Sequence, residues 1–152
     1  STDSYAAQRG SDGAFTGAAA YLGTPIFFKE GCMERVFVSA GGGHQITTLE
    51  CPGVKSGSSR SLCVVEGVLY YHGVDGVYAF EGSMPRRISQ CLGPAVYHGG
   101  AAGTRAGKYY LSLRDAEGRP RLFGTQNGSP NHTTGRERKR RHTARSIHGN
   151  PC

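Results

Sequence analysis

The stretch that decides the fold runs from Val68 to Phe80 and reads VLYYHGVDGVYAF. Its two ends are runs of aromatic and β-branched residues, which favour β-strands, and Gly73–Gly76 separates them. The Asp-Gly step inside that separating segment is a strong signal for a tight hairpin turn. The stretch therefore predicts an antiparallel β-hairpin.

The same pattern occurs three times along the chain. Ile26–Gly31 aligns without a gap with Val68–Gly73 at an offset of 42 residues, and a weaker third copy begins at Lys108. One strand before the middle hairpin, predicted at Ser61–Val65, and one after it, at Arg87–Cys91, make four short strands in about 42 residues. This period and this strand count are typical of a β-propeller blade.

The repeat predicts an all-β fold of antiparallel four-stranded units that form part of a β-propeller. Because propellers have roughly four to eight blades, three copies indicate a piece of a larger ring or assembly. A β-sandwich or meander whose hairpins resemble one another by chance is the alternative. An open fragment leaves strand edges and apolar faces uncovered, which favours association with other proteins.

Composition divides the chain into three parts. Residues 1–13 are expected to be disordered, residues 14–123 to form the β-repeat domain, and residues 124–152 to form a disordered basic tail. The first 123 residues contain 12 Lys and Arg against 10 Asp and Glu, whereas the tail contains six against one. Because the repeat stops in mid-unit after Phe123, we expect a truncated or frameshifted copy of a longer protein.

The basic tail is the basis of a nucleic-acid-binding alternative. Its cationic run consists of Arg136, Arg138, Lys139, Arg140 and Arg141. Such side chains neutralise phosphates, but the run has no interleaved aromatic residues and belongs to no recognisable nucleic-acid-binding module. An incidental solvated tail is the other interpretation of this segment.

The sequence predicts no catalytic, cofactor or metal site. Five cysteines include no C-x-x-C pair, and the histidines have no carboxylate or cysteine at ligand spacing. No nucleophile–base–acid arrangement is recognisable, and Gly41–Gly43 lacks the lysine and the helix of a phosphate-binding loop. Cys63 and Cys91 are expected to be small buried hydrophobes with free thiols, a disulfide framework being the alternative. Neither a signal peptide nor a membrane-spanning apolar run is visible.

Five tyrosines are the candidate interaction residues. They are Tyr70, Tyr71, Tyr78, Tyr109 and Tyr110. Because successive residues of a strand face opposite sides, each Tyr-Tyr pair is expected to place one ring inward and one outward. Inward rings would pack between blades, and outward rings would form a protein interface or a platform for sugars. A carbohydrate- or cell-surface-binding module is therefore a second alternative.

Five segments carry a resemblance to a known group of proteins. They are Ile26–Cys32, Cys51–Val54, Gly57–Leu62, Gly67–Tyr71 and Asp75–Pro85. These segments, and about two thirds of the chain around them, are similar to proteins encoded in the structural gene clusters of tailed phages and prophages. Proteins of that group are described as virion structural, tail or stabilisation proteins with β-propeller-like repeats.

The resemblance implies a non-enzymatic structural or assembly protein of a tailed-phage or prophage particle, in the tail or at the head–tail junction. Its partners would be other virion proteins, and its location the virion or, for a prophage, the bacterial cytoplasm. The group contributes no catalytic residues and no cofactor. Its members are longer than this chain and continue with further strands beyond the position of Phe123, which agrees with a truncated copy.

Overall fold

Strands grouped into three antiparallel sheets make up most of the computed structural model, which describes residues 13–125 and the backbone of residues 144–146. The first sheet contains β1 (Gly17–Tyr21), β2 (Thr24–Phe28), β3 (Cys32–Val38) and β4 (His44–Glu50). The central sheet contains β5 (Cys63–Val65), β6 (Val68–His72), β7 (Val77–Phe80) and β8 (Arg86–Arg87). The third sheet contains β9 (His98–Arg105), β10 (Lys108–Arg114), β11 (Pro120–Thr125) and β12 (Ala144–Ser146). Short 3-10 turns span Ser59–Ser61 and Gln90–Leu92.

The predicted all-β fold of antiparallel four-stranded repeats is confirmed. In each sheet the strands pair in chain order, and the predicted hairpin supplies the two middle strands. β1 pairs antiparallel with β2 and completes the first sheet. The three described sheets do not close a ring, so the relation to a propeller stays a prediction.

The central sheet is buried on both faces because it lies between the other two sheets. One core cluster joins it to apolar side chains of the first sheet through Leu69, Tyr71, Tyr78 and Phe80. A second cluster joins it to the third sheet through Val68, Tyr70, Val77 and Ala79. The central hairpin therefore belongs to two cores at once.

The strand sequences account for this difference in burial between sheets. β6 (VLYYH) and β7 (VYAF) place apolar residues at consecutive positions, and every residue of both strands is buried. β10 (KYYLSLR) alternates, so that only Tyr109, Leu111 and Leu113 are buried. A continuous apolar run thus forms strands that are buried on both faces, and an alternating run forms a strand that is buried on one face.

Serine hydroxyls shorten two strands of the central sheet relative to the prediction. β5 begins after Ser61, and β8 ends before Ser89. The Ser61 hydroxyl accepts the backbone N–H of His72, and the Ser89 hydroxyl accepts that of Val77, both at 2.9 Å. Because each side chain takes the place of a strand carbonyl, the backbone is released into the neighbouring 3-10 turn.

The pairing of the strands matches the first hairpin to the central one two residues away from their gapless sequence alignment. The pairs that close the three hairpins are Phe28–Met33, His72–Val77 and Arg114–Pro120. Because the side-chain period of a strand is two, an even displacement leaves equivalent side chains on the same face of each sheet. Equivalent residues of the three repeats therefore lie on the same side of their sheets.

The third sheet extends beyond the predicted domain boundary at Phe123. β11 ends at Thr125, and Ala144 pairs opposite Thr125 as part of a fourth strand. The Thr125 hydroxyl also accepts the backbone N–H of Tyr109 at 3.0 Å. The structure thus corrects the expectation that no strand follows Phe123. Residues 1–12, 126–143 and 147–152, where disorder was predicted, lie outside the described residues.

The predictions for Cys63 and Cys91 need correction. Cys63 is half-buried, and Cys91 is exposed because the 3-10 turn carries the chain out of the sheet there. Cys91 is disulfide-bonded. Cys32 and Cys51 are buried and not disulfide-bonded, and burial raises the pKa of the Cys51 thiol to about 11.

Close approach of two backbone segments at Gly53 fixes the connection between the first and central sheets. The Gly53 N–H donates to the carbonyl oxygen of Glu30 at 2.9 Å. A Cβ at this position would overlap the carbonyl oxygen of Lys29 and lie 2.8 Å from that of Cys32. Only glycine fits here, because it has no side chain to separate the segments.

Replacement of Gly53 by alanine tests this close approach. Gly53→Ala is expected to lower the free energy of unfolding by about 3 kcal/mol, since the backbone must shift to admit a methyl group. Gly31→Ala is the matched control, because a Cβ at Gly31 meets no atom within 4 Å. Urea unfolding followed by circular dichroism measures both variants, and equal losses would contradict the steric role of Gly53.

Candidate interaction surface

Each sheet has a front face, turned towards the next sheet along the chain, and a back face, turned towards the preceding sheet. The front face of the first sheet, with Phe28, packs on the back face of the central sheet, with Tyr71. The front face of the central sheet, with Tyr70, packs on the back face of the third, with Tyr109. Within the described residues, the stack therefore ends in a back face of the first sheet and a front face of the third.

Most of the tyrosines predicted as interface residues are core residues. Tyr70, Tyr71, Tyr78 and Tyr109 are buried, and only Tyr110 of the five is half-buried. The rings stack in two pairs, Tyr70 on Tyr109 at 4.8 Å between centroids and Tyr71 on Tyr78 at 5.7 Å. The expectation of one inward and one outward ring is wrong for Tyr70 and Tyr71, because the central sheet is covered on both faces.

The buried tyrosine hydroxyls link separate parts of the backbone. Tyr71 donates to the carbonyl oxygen of Pro52 at 2.5 Å, and Tyr109 donates to that of Ser61 at 2.6 Å. Tyr78 donates to the Asp75 carboxylate at 2.6 Å, and burial together with this carboxylate raises the pKa of Tyr78 to about 12. Burial also raises the pKa of Tyr71. These contacts assign the tyrosines to structural positions.

Truncation of one core and one surface tyrosine distinguishes the two environments. Tyr71→Ala is expected to lower the free energy of unfolding by about 4 kcal/mol, because it removes a fully buried ring. Tyr110→Ala should lower it by less than about 1 kcal/mol, because that ring is only half-buried. Chemical denaturation of both variants provides the measurement, and a cost for Tyr110→Ala as large as that for Tyr71→Ala would contradict the assignment.

The back face of the first sheet contains a pocket with a volume of about 820 Å³. Its walls are largely apolar and include Phe15, Phe27, Val36 and Ile46. Phe15 packs edge-on against Phe27 at 6.0 Å between ring centroids, yet the two residues are 56% and 40% exposed. A group of exposed aromatic and aliphatic side chains around a concave surface is typical of an interaction site.

Glu34 is the acidic residue that lines this pocket. The residue is only 4% exposed, and its Oε1 atom accepts no hydrogen bond from the described part of the chain. A buried carboxylate oxygen without a donor costs free energy, which a cation or N–H group of a binding partner would recover. His44, which is exposed, also lines the pocket. The pocket thus combines apolar walls with a nearly buried carboxylate.

The front face of the third sheet has a different chemical character. The residues of β10 that face away from the core are Lys108, Tyr110, Ser112 and Arg114. Leu122 of β11 pairs opposite Ser112 on the same face. Arg114 is exposed, and its Nη1 atom donates to the carbonyl oxygen of Gly118 at 2.9 Å. This face is therefore mixed and basic, whereas the opposite end of the stack is apolar with a buried carboxylate.

Ser58 and His72 form a buried pair that the sequence analysis missed. The His72 Nδ1 atom lies 2.9 Å from Ser58 Oγ, and Ser58 Oγ donates to the carbonyl oxygen of Gly99 at 3.0 Å. Because a serine hydroxyl carries one proton, its donation to Gly99 leaves Nδ1–H of His72 as the donor to Ser58. Both residues are at most 2% exposed. We therefore assign the pair a structural role in connecting β6 with β9.

The buried position of His72 gives the fold a pH dependence. Burial, followed by the nearby Lys55, lowers the pKa of His72 to about 4, against 6.5 for an unperturbed histidine. Between these values the unfolded chain binds a proton that the folded chain does not, so stability falls as pH falls. The loss of stability begins as the pH falls below 6.5 and reaches about 3 kcal/mol by pH 4.

Histidine substitutions separate this effect from general acid unfolding. His72→Gln is expected to remove the His72-dependent part of the slope of unfolding free energy against pH between 4 and 6.5. His44→Gln, at an exposed position, is the control and should retain the wild-type slope. Urea titrations at several pH values measure the slopes. An unchanged slope in His72→Gln would show that His72 is not the titrating group.

The histidines, the Gly41–Gly43 segment and the basic run are the other features that the sequence analysis considered. His44 and His98 are exposed on different sheets, and the described part of the chain contains no cluster of three or more potential metal ligands. Gly41–Gly43 lies in the turn between β3 and β4, where the Ser39 N–H donates to the carbonyl oxygen of Gly43 at 2.7 Å. Among the described residues, no helix has the length and apolar character needed to span a membrane. The basic residues predicted to contact nucleic acid, Arg136, Arg138, Lys139, Arg140 and Arg141, lie outside the described residues.

Comparison of the chain with protein-family models, curated proteins and solved structures finds no match in any of the three. The functional interpretation therefore starts from the two end faces of the stack.

Proposed function

We propose that the chain is a non-enzymatic structural protein of a tailed-phage or prophage particle, in the tail or at the head–tail junction. It acts by packing against other virion proteins. The observation that carries this proposal is the pair of end faces, one apolar and one basic, at opposite ends of a front-to-back stack of sheets. In repeat and propeller-type proteins, such faces are the positions at which neighbouring units pack.

The back face of the first sheet supports a protein partner rather than a small soluble substrate. Its exposed side chains include two phenylalanines, and Val38 at the end of β3 is 70% exposed. Apolar surface of this kind gains free energy when it is removed from water, at roughly 25 cal/mol per Å² of buried area. Aromatic side chains are also enriched in protein–protein interfaces.

The two alternative functions receive different support from the described residues. A sugar-binding platform would require outward tyrosines, and four of the five candidates are buried, so we do not propose it. Nucleic-acid binding through the basic run stays a prediction, because those residues lie outside the described part of the chain.

Analysis of purified particles tests the proposed function. Particles induced from the strain that encodes the chain are banded on a density gradient, and peptides from residues 13–125 are quantified by mass spectrometry. We expect these peptides to follow the major capsid protein at a constant ratio across the particle band.

Two controls make the outcome decisive. Nuclease treatment with a high-salt wash removes proteins held by nucleic acid, so a chain lost at this step would support the nucleic-acid alternative instead. A chain that is present in the lysate but missing from the washed particle band would contradict a virion role.

A further inference from the structure

The back face of the central sheet is equivalent to the back face of the first sheet, and its packing shows which kind of surface covers such a face. One position before the closing pair of each hairpin, Phe27 is opposite Glu34 in the first sheet and Tyr71 is opposite Tyr78 in the central sheet. In the central sheet this pair is covered by a front face, whose Phe28 ring lies 5.0 Å from Tyr71. The equivalent pair on the first sheet lines the open pocket. A front face of the same repeat is therefore the surface that fits there.

Within the described residues, the one front face that no other sheet covers belongs to the third sheet. The residue of that face equivalent to Phe28 is Arg114, because both belong to the pair that closes their hairpin. A front face packed on the first sheet as Phe28 packs on Tyr71 would place Arg114 beside Phe27 and Glu34. Its guanidinium has five N–H donors, and among the described residues its Nη1 atom donates to the carbonyl oxygen of Gly118.

The chemistry of the two faces is complementary at this contact. Glu34 is 4% exposed and its Oε1 atom lacks a donor within the described part of the chain. A guanidinium pairs with a carboxylate through charge-assisted hydrogen bonds and stacks favourably on a phenylalanine ring. The apolar pocket walls would at the same time be shielded by Tyr110 and Leu122, which share the front face with Arg114.

We infer that the chain associates head to tail with a second copy of itself, the front face of the third sheet of one copy covering the back face of the first sheet of the other. In this contact Arg114 of one copy pairs with Glu34 of its neighbour. The inference rests on the proposed protein–protein role and names its first partner. Two copies joined in this way carry six sheets, within the roughly four to eight blades of closed propellers. A head-to-tail contact either closes such a ring or continues into a longer oligomer.

A charge exchange tests the contact in the full chain. Glu34→Arg alone and Arg114→Glu alone each place like charges at both ends of the contact, so each is expected to weaken self-association at least about 100-fold. An equimolar mixture of the two variants restores opposite charges at every contact and is expected to associate as the wild type does. Size-exclusion chromatography with light scattering measures the mass against that of the 16.2 kDa chain.

Control variants address net charge and folding. Glu81→Arg, next to the central sheet, and Arg60→Glu change the charge equally at exposed positions away from the contact and should leave association unchanged. Recovery of association in the mixture shows that both contact variants fold, and circular dichroism of each variant checks this independently.

Specific outcomes would overturn the inference. One is a wild-type chain that stays monomeric up to roughly 100 µM, a concentration well above the Kd range of standard-sized interfaces. The other is that the single variants associate like the wild type. A monomeric chain that is nevertheless recovered in washed particles would overturn self-association while supporting the proposed virion role. A chain that self-associates but is missing from particles would support self-association and contradict the proposed virion role.

Discussion

Burial of the β6–β7 hairpin on both of its faces is the constraint on which the rest of the structure depends. Tyr71 packs against Phe28 of the first sheet, and Tyr70 stacks on Tyr109 of the third. A single sheet of short strands cannot stabilise itself in water, because one apolar face or both would stay exposed. The hairpin resolves this by sharing one face with each neighbour, so the three sheets depend on one another for their cores.

The front-to-back order of the sheets follows from that packing and leads to the proposed function. Because the repeat preserves the facing of equivalent residues, each internal contact joins a front face to a back face, and the two ends of the stack are of opposite type. The apolar end contains Glu34, whose Oε1 atom accepts no hydrogen bond from the described residues, while the basic end contains Arg114. Association with further sheets of the same kind explains both ends by the interaction that already holds the interior together.

Much of the fold could be predicted from local sequence. Aromatic and β-branched runs with an Asp-Gly turn indicate the hairpins, and the continuous apolar run of β6, unlike the alternating β10, contains the information that Tyr70 and Tyr71 are both buried. The shortened strands could not be predicted in this way. They depend on the hydroxyls of Ser61 and Ser89, which accept N–H groups from residues at least 11 positions away along the chain.

The candidate site was less accessible to sequence reasoning, because its properties are tertiary. Nothing local distinguishes Glu34 from a solvent-facing carboxylate, since its burial depends on side chains from β1, β2 and β4 around it. The Ser58–His72 pair likewise joins a loop to a strand without any recognisable spacing. The alternation of a strand predicts one outward ring in each Tyr-Tyr pair, whereas Tyr70 and Tyr71 are both buried because the central sheet is covered on both faces.

Amide hydrogen exchange in the full chain tests the two-sided core most directly. If the central hairpin holds the three sheets together, the amides of Leu69, Tyr71 and Tyr78 exchange last, and only through global unfolding. The amides of β4 and β9, at the outer edges of the first and third sheets, then exchange earlier through local opening. Exchange of the β6–β7 amides as fast as those of β4 and β9 would contradict this account.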